Sequence, residues 1–281
     1  MNAIEYANQA SEIFVLSDSF IRIKELIDDE SSTLDDISDV ILVDPALAGS
    51  ILKLANSSFF NYPGKIDTIS KAVLVLGITE VYNLVIAYFS TKAFNYHSAD
   101  QNYLEDFWER SVDCALLIKY LGCRLKLPNA ERLFILGLLH NLGEFVIHQV
   151  SPEKVAMCYS DDVGYLPWRK QQDTLGFTYG ECSAELLKLW HLPYSLVAPI
   201  RYQDEANFSQ VSTEAQLLYI AKRIMVNQRV FKAECLQPLL NDEQLTLVGV
   251  DSEILREAVD YCDVERLDIL SILNPGAAMI Y

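Results

Sequence analysis

Apolar residues recur at the helical period of about 3.6 residues from one end of this 281-residue sequence to the other. Runs that alternate apolar and polar residues, as half-buried strands do, are few. Helix-start signals accompany the pattern. Asp44 suits a cap and Pro45 the first helical position after it, and Thr178 with Glu181 has the spacing of a capping box. The sequence therefore predicts an all-α, multi-helical fold.

Individual segments refine this prediction. LDDISDVILVD predicts a helix after Thr33, and SKAVLVLG, which fits a short helix or a strand, is interpreted as a helix because its neighbours are helical. ITEVYNLVIAYFSTKAF predicts a helix that starts after a Thr79 cap and ends near Phe94. The apolar segment NAERLFILGLLHNLGEFVIHQV predicts one central helix, opened by Asn129.

A polar segment without helical period divides the chain. FNYHSADQN, from Phe94 to Asn102, predicts a loop, and we place a subdomain boundary there. The predicted parts are an N-terminal helical subdomain of residues 1–98 and a C-terminal helical subdomain of residues 99–281. Because the loop is short, we expect the two halves to pack against each other.

Composition excludes several classes of protein. With 51% hydrophobic residues, 11 Gly and 9 Pro, the chain can bury a large core and is not of a disordered class. Its net charge of -17 disfavours nucleic acid and anionic membranes as partners, because both are bound through Lys and Arg. The alternative interpretation is that this charge serves only to keep the protein soluble. The most apolar run, Leu133 to Leu139, ends before His140 and is far shorter than the roughly 20 residues of a membrane span. The N-terminus lacks the pattern of a secretion signal, so we expect a cytoplasmic protein.

The six cysteines are scattered, with no CxxC pair, and each stands in apolar sequence. A zinc ribbon or a disulfide framework would need closer pairs. We interpret them as reduced core residues, and the three tryptophans, Trp108, Trp168 and Trp190, as core residues too.

Five ordered motifs carry a family resemblance: DPALAGSILKLANSSFF, AVLVLGI, FWERSVDCA, LFILGLLHNLGE and GFTYGECSAELLKLWHLP. Together they resemble the HDOD domain, an output relative of the HD-type metal-dependent phosphohydrolases, over about residues 12 to 205. The resemblance implies an N-terminal helical subdomain packed on an HD-like helical one. It also implies a role in bacterial signal transduction, usually without demonstrated catalysis.

The resemblance further implies where an active HD hydrolase would hold its divalent metal, and this sequence departs from that ligand set. Arg110 stands at the position of the first His, and the His-Asp pair reads His140-Asn141. Tyr179 replaces a later His, and a His pair becomes Tyr202-Gln203. Only His140 matches, whereas a catalytic metal site needs three or more protein ligands. These six residues are expected to form a vestigial pocket without metal or other cofactor.

A remnant of metal chemistry stays open. On a continuous helix His140, Glu144 and His148 share one face, but the two histidines stand about 12 Å apart and cannot share an ion. Glu144 with one His could hold a divalent ion if other ligands joined them; the alternative is a packed or solvated stripe. His97 and His191 are interpreted as structural or solvated.

Three functional hypotheses follow. The first is a non-catalytic signal-transduction module that docks a protein partner, with Arg110, Asn141, Tyr179 and Gln203 filling the old pocket. The second is a metal-dependent phosphohydrolase or phosphodiesterase with nonstandard ligands, drawn from Glu144, Asp173, Glu181 or Asp204. The third is a pseudoenzyme that binds a phosphate-bearing ligand through Arg110, His140 and Glu144 without cleaving it. No motif names the partner, the input signal or the oligomeric state.

Overall fold

The protein is described by a computed structural model. It describes residues 1–13, 17–29, 31–57, 60, 62, 64–97, 101–128, 130–159, 165–205, 207–231 and 239–273.

Helices account for all regular structure in the described residues, which contain no β-strand. The α-helices are α1 (Ala3–Ile13), α2 (Asp18–Asp28), α3 (Leu34–Val43), α4 (Pro45–Ala55), α5 (Ile69–Leu76), α6 (Ile78–His97), α7 (Gln101–Arg124), α8 (Glu131–Leu139), α9 (Leu142–Val150), α10 (Pro152–Cys158), α11 (Pro167–Leu175), α12 (Tyr179–Leu189), α13 (Tyr194–Arg201), α14 (Thr213–Val226), α15 (Asp242–Val248) and α16 (Ser252–Leu273). A 3₁₀ turn at Phe208–Gln210 and a π-helical turn at Asn227–Phe231 complete the set. The all-α prediction is confirmed.

Helix starts follow the local sequence signals. Asp44 caps α4 by accepting from two backbone N–H groups, and Pro45 takes the first position. Thr33 opens α3 and Thr178 opens α12, each in a complete capping box. The ambiguous segment is helix α5, capped by Thr68. These predictions are confirmed.

The predicted loop from Phe94 to Asn102 is wrong at both ends. Helix α6 continues to His97 and α7 begins at Gln101, while residues 98–100 lie outside the described part. No Gly or Pro stands between Phe94 and His97 to stop a helix, and adding a residue to an existing helix costs far less than starting one. The Thr79 cap is also wrong, because α6 starts one residue earlier, directly after Gly77, whose φ of 88° ends α5.

The predicted single central helix is interrupted at His140 and Asn141, so that α8 ends at Leu139 and α9 begins at Leu142. Asn141 has φ −120° and ψ 16°, outside the helical region. The carbonyl of His140 instead accepts hydrogen bonds from side chains of other helices. Contrary to the sequence prediction, His140 therefore does not share the face of one continuous helix with Glu144 and His148. The predicted opening residue, Asn129, lies outside the described residues.

The chain divides into two compact units. The first comprises Met1–Ile13 and Arg110–Cys262, and the second comprises Phe14–Glu109 and Asp263–Tyr281. In the first unit α12 is central and contacts α1, α9 and α13, and α14 packs on α13 and α8. The boundary between residues 98 and 99 stays a prediction.

The second unit contains α2 to α6, which pack on one another around an apolar interior. Its buried side chains include Phe20, Ile23, Ile37, Ile41, Leu47, Ile51, Leu54, Ile69, Val73, Leu84 and Val85. The periodic apolar positions of these helices supply this core, as their sequence pattern predicts.

Cysteines and tryptophans follow the sequence interpretation with one exception. All three tryptophans are buried, as are Cys114, Cys158, Cys182 and Cys262. Cys123 is exposed, since it lies on the outer side of the last turns of α7, and Cys235 is outside the described residues. None of the five described cysteines forms a disulfide.

One described stretch, Arg132–Val150, has the length and hydropathy of a membrane span, and 83% of its apolar window is buried inside the protein. Helix α5 followed by Ile78–Lys92 passes the same test only if the two, bent by 119°, are counted as one. Such burial is what the core helix of a globular protein shows.

Candidate functional site

A buried ion pair stands at the centre of the HD-like region. Arg110, from α7, donates from Nη1 to Glu144 Oε2 at 2.8 Å and from Nη2 to Glu144 Oε1 at 2.7 Å. The Glu144 side chain is 3% exposed and that of Arg110 is 18% exposed. A two-point guanidinium–carboxylate contact of this kind is strong and fixes both groups in one orientation.

Two further donors hold the same carboxylate. Asn141 donates from Nδ2 to Glu144 Oε2, and the Tyr159 hydroxyl donates to Glu144 Oε1 at 3.2 Å. Tyr179, from the start of α12, is buried nearby: burial raises the pKa of its phenol, and the negative charge of Glu144 adds to the rise. Its hydroxyl therefore stays protonated, and it forms a hydrogen bond with the Cys158 thiol. Glu144 thus accepts hydrogen bonds from at least three side chains, those of Arg110, Asn141 and Tyr159.

His140 is buried next to this cluster and is neutral. Burial lowers its pKa to about 3, and the ammonium of Lys222 is the next largest cause. Its Nδ1–H donates to the carbonyl of Gly137 at 2.6 Å. Since Nδ1 carries the proton of the neutral ring, Nε2 is the unprotonated nitrogen.

Two side chains, one from α12 and one from the segment after α13, bind backbone groups at the helix break. Gln203, fully buried, donates from Nε2 to the His140 carbonyl at 2.8 Å, and the Ser183 hydroxyl lies 3.2 Å from the same oxygen. Ser183 also accepts from the Gly143 N–H at 2.8 Å. These contacts satisfy backbone groups that a continuous helix would have satisfied internally.

Glycine permits the close approach of helices around the site. A Cβ on Gly137 would overlap the backbone of Ala115 in α7, and a Cβ on Gly143 would overlap the Tyr179 carbonyl of α12. Helix α8 can therefore approach α7, which carries Arg110, and α9, which carries Glu144, can approach α12, which begins with Tyr179, to within backbone contact.

A second buried ion pair lies beside His140. Lys222 Nζ is 2.6 Å from both carboxylate oxygens of Asp204, and the two side chains are 10% and 6% exposed. The Lys222 ammonium also lies 5.6 Å from the centre of the Trp168 ring. The positive charge of Lys222 lowers the pKa of His140 and the negative charge of Asp204 raises it, and Gln203, next to Asp204, binds the His140 carbonyl.

The residues of the expected pocket are thus placed as follows. Arg110 and Asn141 meet on Glu144, Tyr179 lies near it, and Gln203 binds the backbone of His140. Tyr202 is different, because its side chain is 44% exposed.

The other residues considered as ligands are exposed, half-buried or engaged in other contacts. Asp173 is exposed, and Glu181 is used in the capping box of α12. His148 is half-buried, and His191 is exposed with φ 54°. The side chain of His97 lies outside the described part.

Sequence reasoning missed Tyr159, Ser183 and Lys222. Tyr159 bears no motif, and Ser183 lies in the segment GFTYGECSAELLKLWHLP without a predicted role, since each acts through a partner at least 15 residues away. Lys222 did leave a signal: it interrupts the apolar segment LLYIAKRIMV, where a charged side chain needs a buried partner.

The residues present do not fit the divalent metal ion that an HD-type fold implies. Arg110 is a permanent cation, Asn141 is neutral, and Tyr179 keeps its proton. Both oxygens of Glu144 already accept from Arg110. Within the described ranges, no group of three or more His, Cys, Asp or Glu side chains could hold a metal ion.

Comparison with known sequences gives one family and one distant relative. The model of the HDOD domain family matches residues 13–206. An uncharacterized protein of Treponema pallidum (strain Nichols) is 28% identical over 203 residues, which are 71% of this chain and 39% of that protein. The chain therefore spans about two fifths of the length of that relative.

Solved structures share the fold. A candidate phosphohydrolase from Shewanella amazonensis SB2B has a TM-score of 0.71 and 24% identity, over 96% of this chain and 98% of that one. An HDOD domain protein with unknown function from Geobacter sulfurreducens has a TM-score of 0.68 and 19% identity, over 99% and 98%. A candidate signal transduction protein from Marinobacter aquaeolei VT8 has a TM-score of 0.68 and 24% identity, over 95% and 60%.

Proposed function

Because the chain belongs to the HDOD domain family, whose model matches residues 13–206, we propose that it is a non-catalytic signal-transduction module that acts by binding a protein partner. In this proposal the HD-like pocket is a pseudoenzyme site that supports the fold and performs no hydrolysis.

The observation that carries the proposal is the Arg110–Glu144 pair. Metal-assisted hydrolysis needs carboxylate and imidazole ligands that are open to the ion, because the ion must activate a water and bind the phosphate. Here a guanidinium occupies both oxygens of Glu144, with Asn141 and Tyr159 as additional donors. Hydrolysis would require this cluster to be taken apart first.

Metal retention is the first test. Untagged protein, purified without chelator, is incubated with manganese, iron or zinc, desalted and measured by elemental analysis. We expect far less than one ion per chain. Near-stoichiometric retention that is lost in His140→Ala would overturn the proposal and favour the hydrolase.

Hydrolysis is tested on the same samples with a chromogenic phosphodiester. We expect no turnover beyond that of a His140→Ala variant, which lacks the imidazole that a metal-assisted reaction at this site would need. Turnover that needs both the metal and His140 would establish a phosphohydrolase with a nonstandard site, the activity suggested by the name of the Shewanella amazonensis protein.

Partner class follows from charge. A net charge of -17 repels phosphate backbones and anionic lipids, so the proposal assigns a protein partner and a cytoplasmic location. A phosphate-bearing small ligand is the remaining competitor, with Arg110 as its anchor. Thermal shifts across a nucleotide panel at low salt decide this: we expect none, and a salt-sensitive shift that Arg110→Met abolishes would replace the proposal.

A further inference from the structure

Two buried carboxylates belong to the surroundings of the helix break at His140 and Asn141, since Asn141 donates to Glu144 and Gln203, next to Asp204, donates to the His140 carbonyl. Each carboxylate is neutralised by a long cationic side chain. Glu144, in α9, is held by Arg110 from α7. Asp204, which follows α13, is held by Lys222 from α14. Two negative charges and two positive charges thus balance within the interior of one unit.

The Lys222–Asp204 pair has the geometry of an obligatory contact. The ammonium is 2.6 Å from both carboxylate oxygens, and little of either side chain reaches solvent. The neighbours of Lys222 on α14, Ala221 and Ile224 among them, are buried. A buried ammonium or carboxylate without a partner is strongly destabilising, so each group of this pair requires the other.

The pair is connected to the helix break at His140. Gln203, the residue before Asp204, donates to the carbonyl of His140. The positive charges of Lys222 and Arg110 both help to lower the pKa of the His140 imidazole. A divalent ion beside His140 would add two positive charges to a cluster that is already neutral.

We propose that Lys222 and Arg110 are counterions that supply, near His140, the positive charge that a divalent metal ion would otherwise supply. In this proposal Lys222 prevents Asp204 from binding a metal ion. This inference deepens the proposed function and rests on it, because it takes the pocket of the unaltered protein to bind no metal ion. It assigns Lys222 a positioning role and no part in catalysis.

A double-mutant cycle tests the counterion role in the full chain. Lys222→Met leaves Asp204 buried and unpaired, and we expect the unfolding equilibrium constant to rise at least about 100-fold. Adding Asp204→Asn removes the stranded charge, so the double variant is expected to recover at least about tenfold of that loss. Urea unfolding followed by tryptophan fluorescence measures both.

The matched control is Lys71 with Asp67, an exposed pair of the second unit at 3.6 Å. Lys71→Met and its double with Asp67→Asn are expected to change the unfolding constant by less than about fivefold. If Lys222→Met does not fold, the double variant still decides the matter. A double variant no more stable than Lys222→Met contradicts the counterion role.

Metal uptake supplies the second readout. Millimolar Mn²⁺ is expected to leave the melting temperature of the unaltered protein unchanged and to raise that of Lys222→Met by about 3 °C, with no rise in the double variant. For a Lys222→Met that does not fold alone, the same Mn²⁺ should restore its folded signal.

The two proposals fail in different ways. If Lys222→Met folds and its melting temperature does not respond to Mn²⁺, the inference that Lys222 prevents metal binding by Asp204 is overturned. The proposed function stands in that case. A Mn²⁺ response of the unaltered protein that requires His140 overturns the proposed function, whatever the result of the double-mutant cycle.

Discussion

The two units of this chain bury different kinds of side chain. In the second unit the interior is mainly aliphatic and aromatic, with Glu80 buried against Asn83, and Arg22 with Glu25 illustrates its ion pairs, both side chains being 60% exposed. In the first unit two ion pairs lie inside, and the Glu144 and Asp204 side chains are 3% and 6% exposed. Both units are helical, so the contrast shows that one secondary-structure class supports an interior packed mainly by apolar side chains and one that also contains closely paired charges.

The sharpest test of this contrast removes one charge from each unit. Arg110→Met strands Glu144 in the interior and is expected to cost about 3–5 kcal/mol of unfolding free energy. Arg22→Met, on the surface of the second unit, is expected to cost less than about 0.5 kcal/mol. Urea unfolding measures both. Equal losses would show that the Arg110–Glu144 pair has no special electrostatic role.

A pair of glycine substitutions tests backbone packing in the two units. Gly137→Ala places a methyl group against the backbone of Ala115 and is expected to cost about 3 kcal/mol. Gly49→Ala, inside α4 of the second unit, meets nothing within 4 Å and is expected to stabilise by about 0.5–1 kcal/mol. Thermal unfolding should move in opposite directions. A neutral Gly137→Ala would contradict the close approach of α8 and α7.

Acid should weaken the first unit through His140. Its pKa is about 3 in the folded protein, against about 6.5 in an unfolded chain, so the unfolded state binds the proton first. Stability is therefore lost as the pH falls below about 6.5. Between pH 7 and pH 5 the protein should lose roughly 2 kcal/mol more than His140→Gln. Parallel pH profiles of the two proteins would refute the buried neutral imidazole.

The smallest expected difference concerns helix caps, where the units should behave alike. Thr178→Ala, at the start of α12, and Thr33→Ala, at the start of α3, each remove one side-chain acceptor of a capping box. Each is expected to cost about 1 kcal/mol, because a cap interacts only with its own first turn. A much larger loss for Thr178→Ala would mean that the cap also supports the buried cluster.

The contrast between caps and buried charges explains what could be read from the sequence. Asp44, Thr33 and Thr178 were identified as caps because each acts on residues two or three positions away. The loop predicted at Phe94–Asn102 failed for a related reason. Polar residues lower helix propensity only slightly, and an established helix extends through them.

The site was predictable only in part. Arg110, Asn141 and Gln203 were assigned to a shared pocket through motif positions, and contacts within one turn connect Asn141 to Glu144. The pairing of Arg110 with Glu144, 34 residues apart, and of Lys222 with Asp204, 18 residues apart, carries no pattern in the chain. Tyr202, assigned by the same motif logic, is largely exposed, since the residue after it points inward.

Residue order alone was enough to establish the helical class of this protein, the helix starts at Thr33, Asp44 and Thr178, and the departure from a familiar metal-ligand set. Those properties depend on residue type and on neighbours within about four positions. Only the tertiary structure decided the break at His140 and Asn141, the burial of Glu144 and Asp204, and the cation that each receives. Such features arise where separate helices meet, because a buried charge or carbonyl must find a partner wherever packing has placed one.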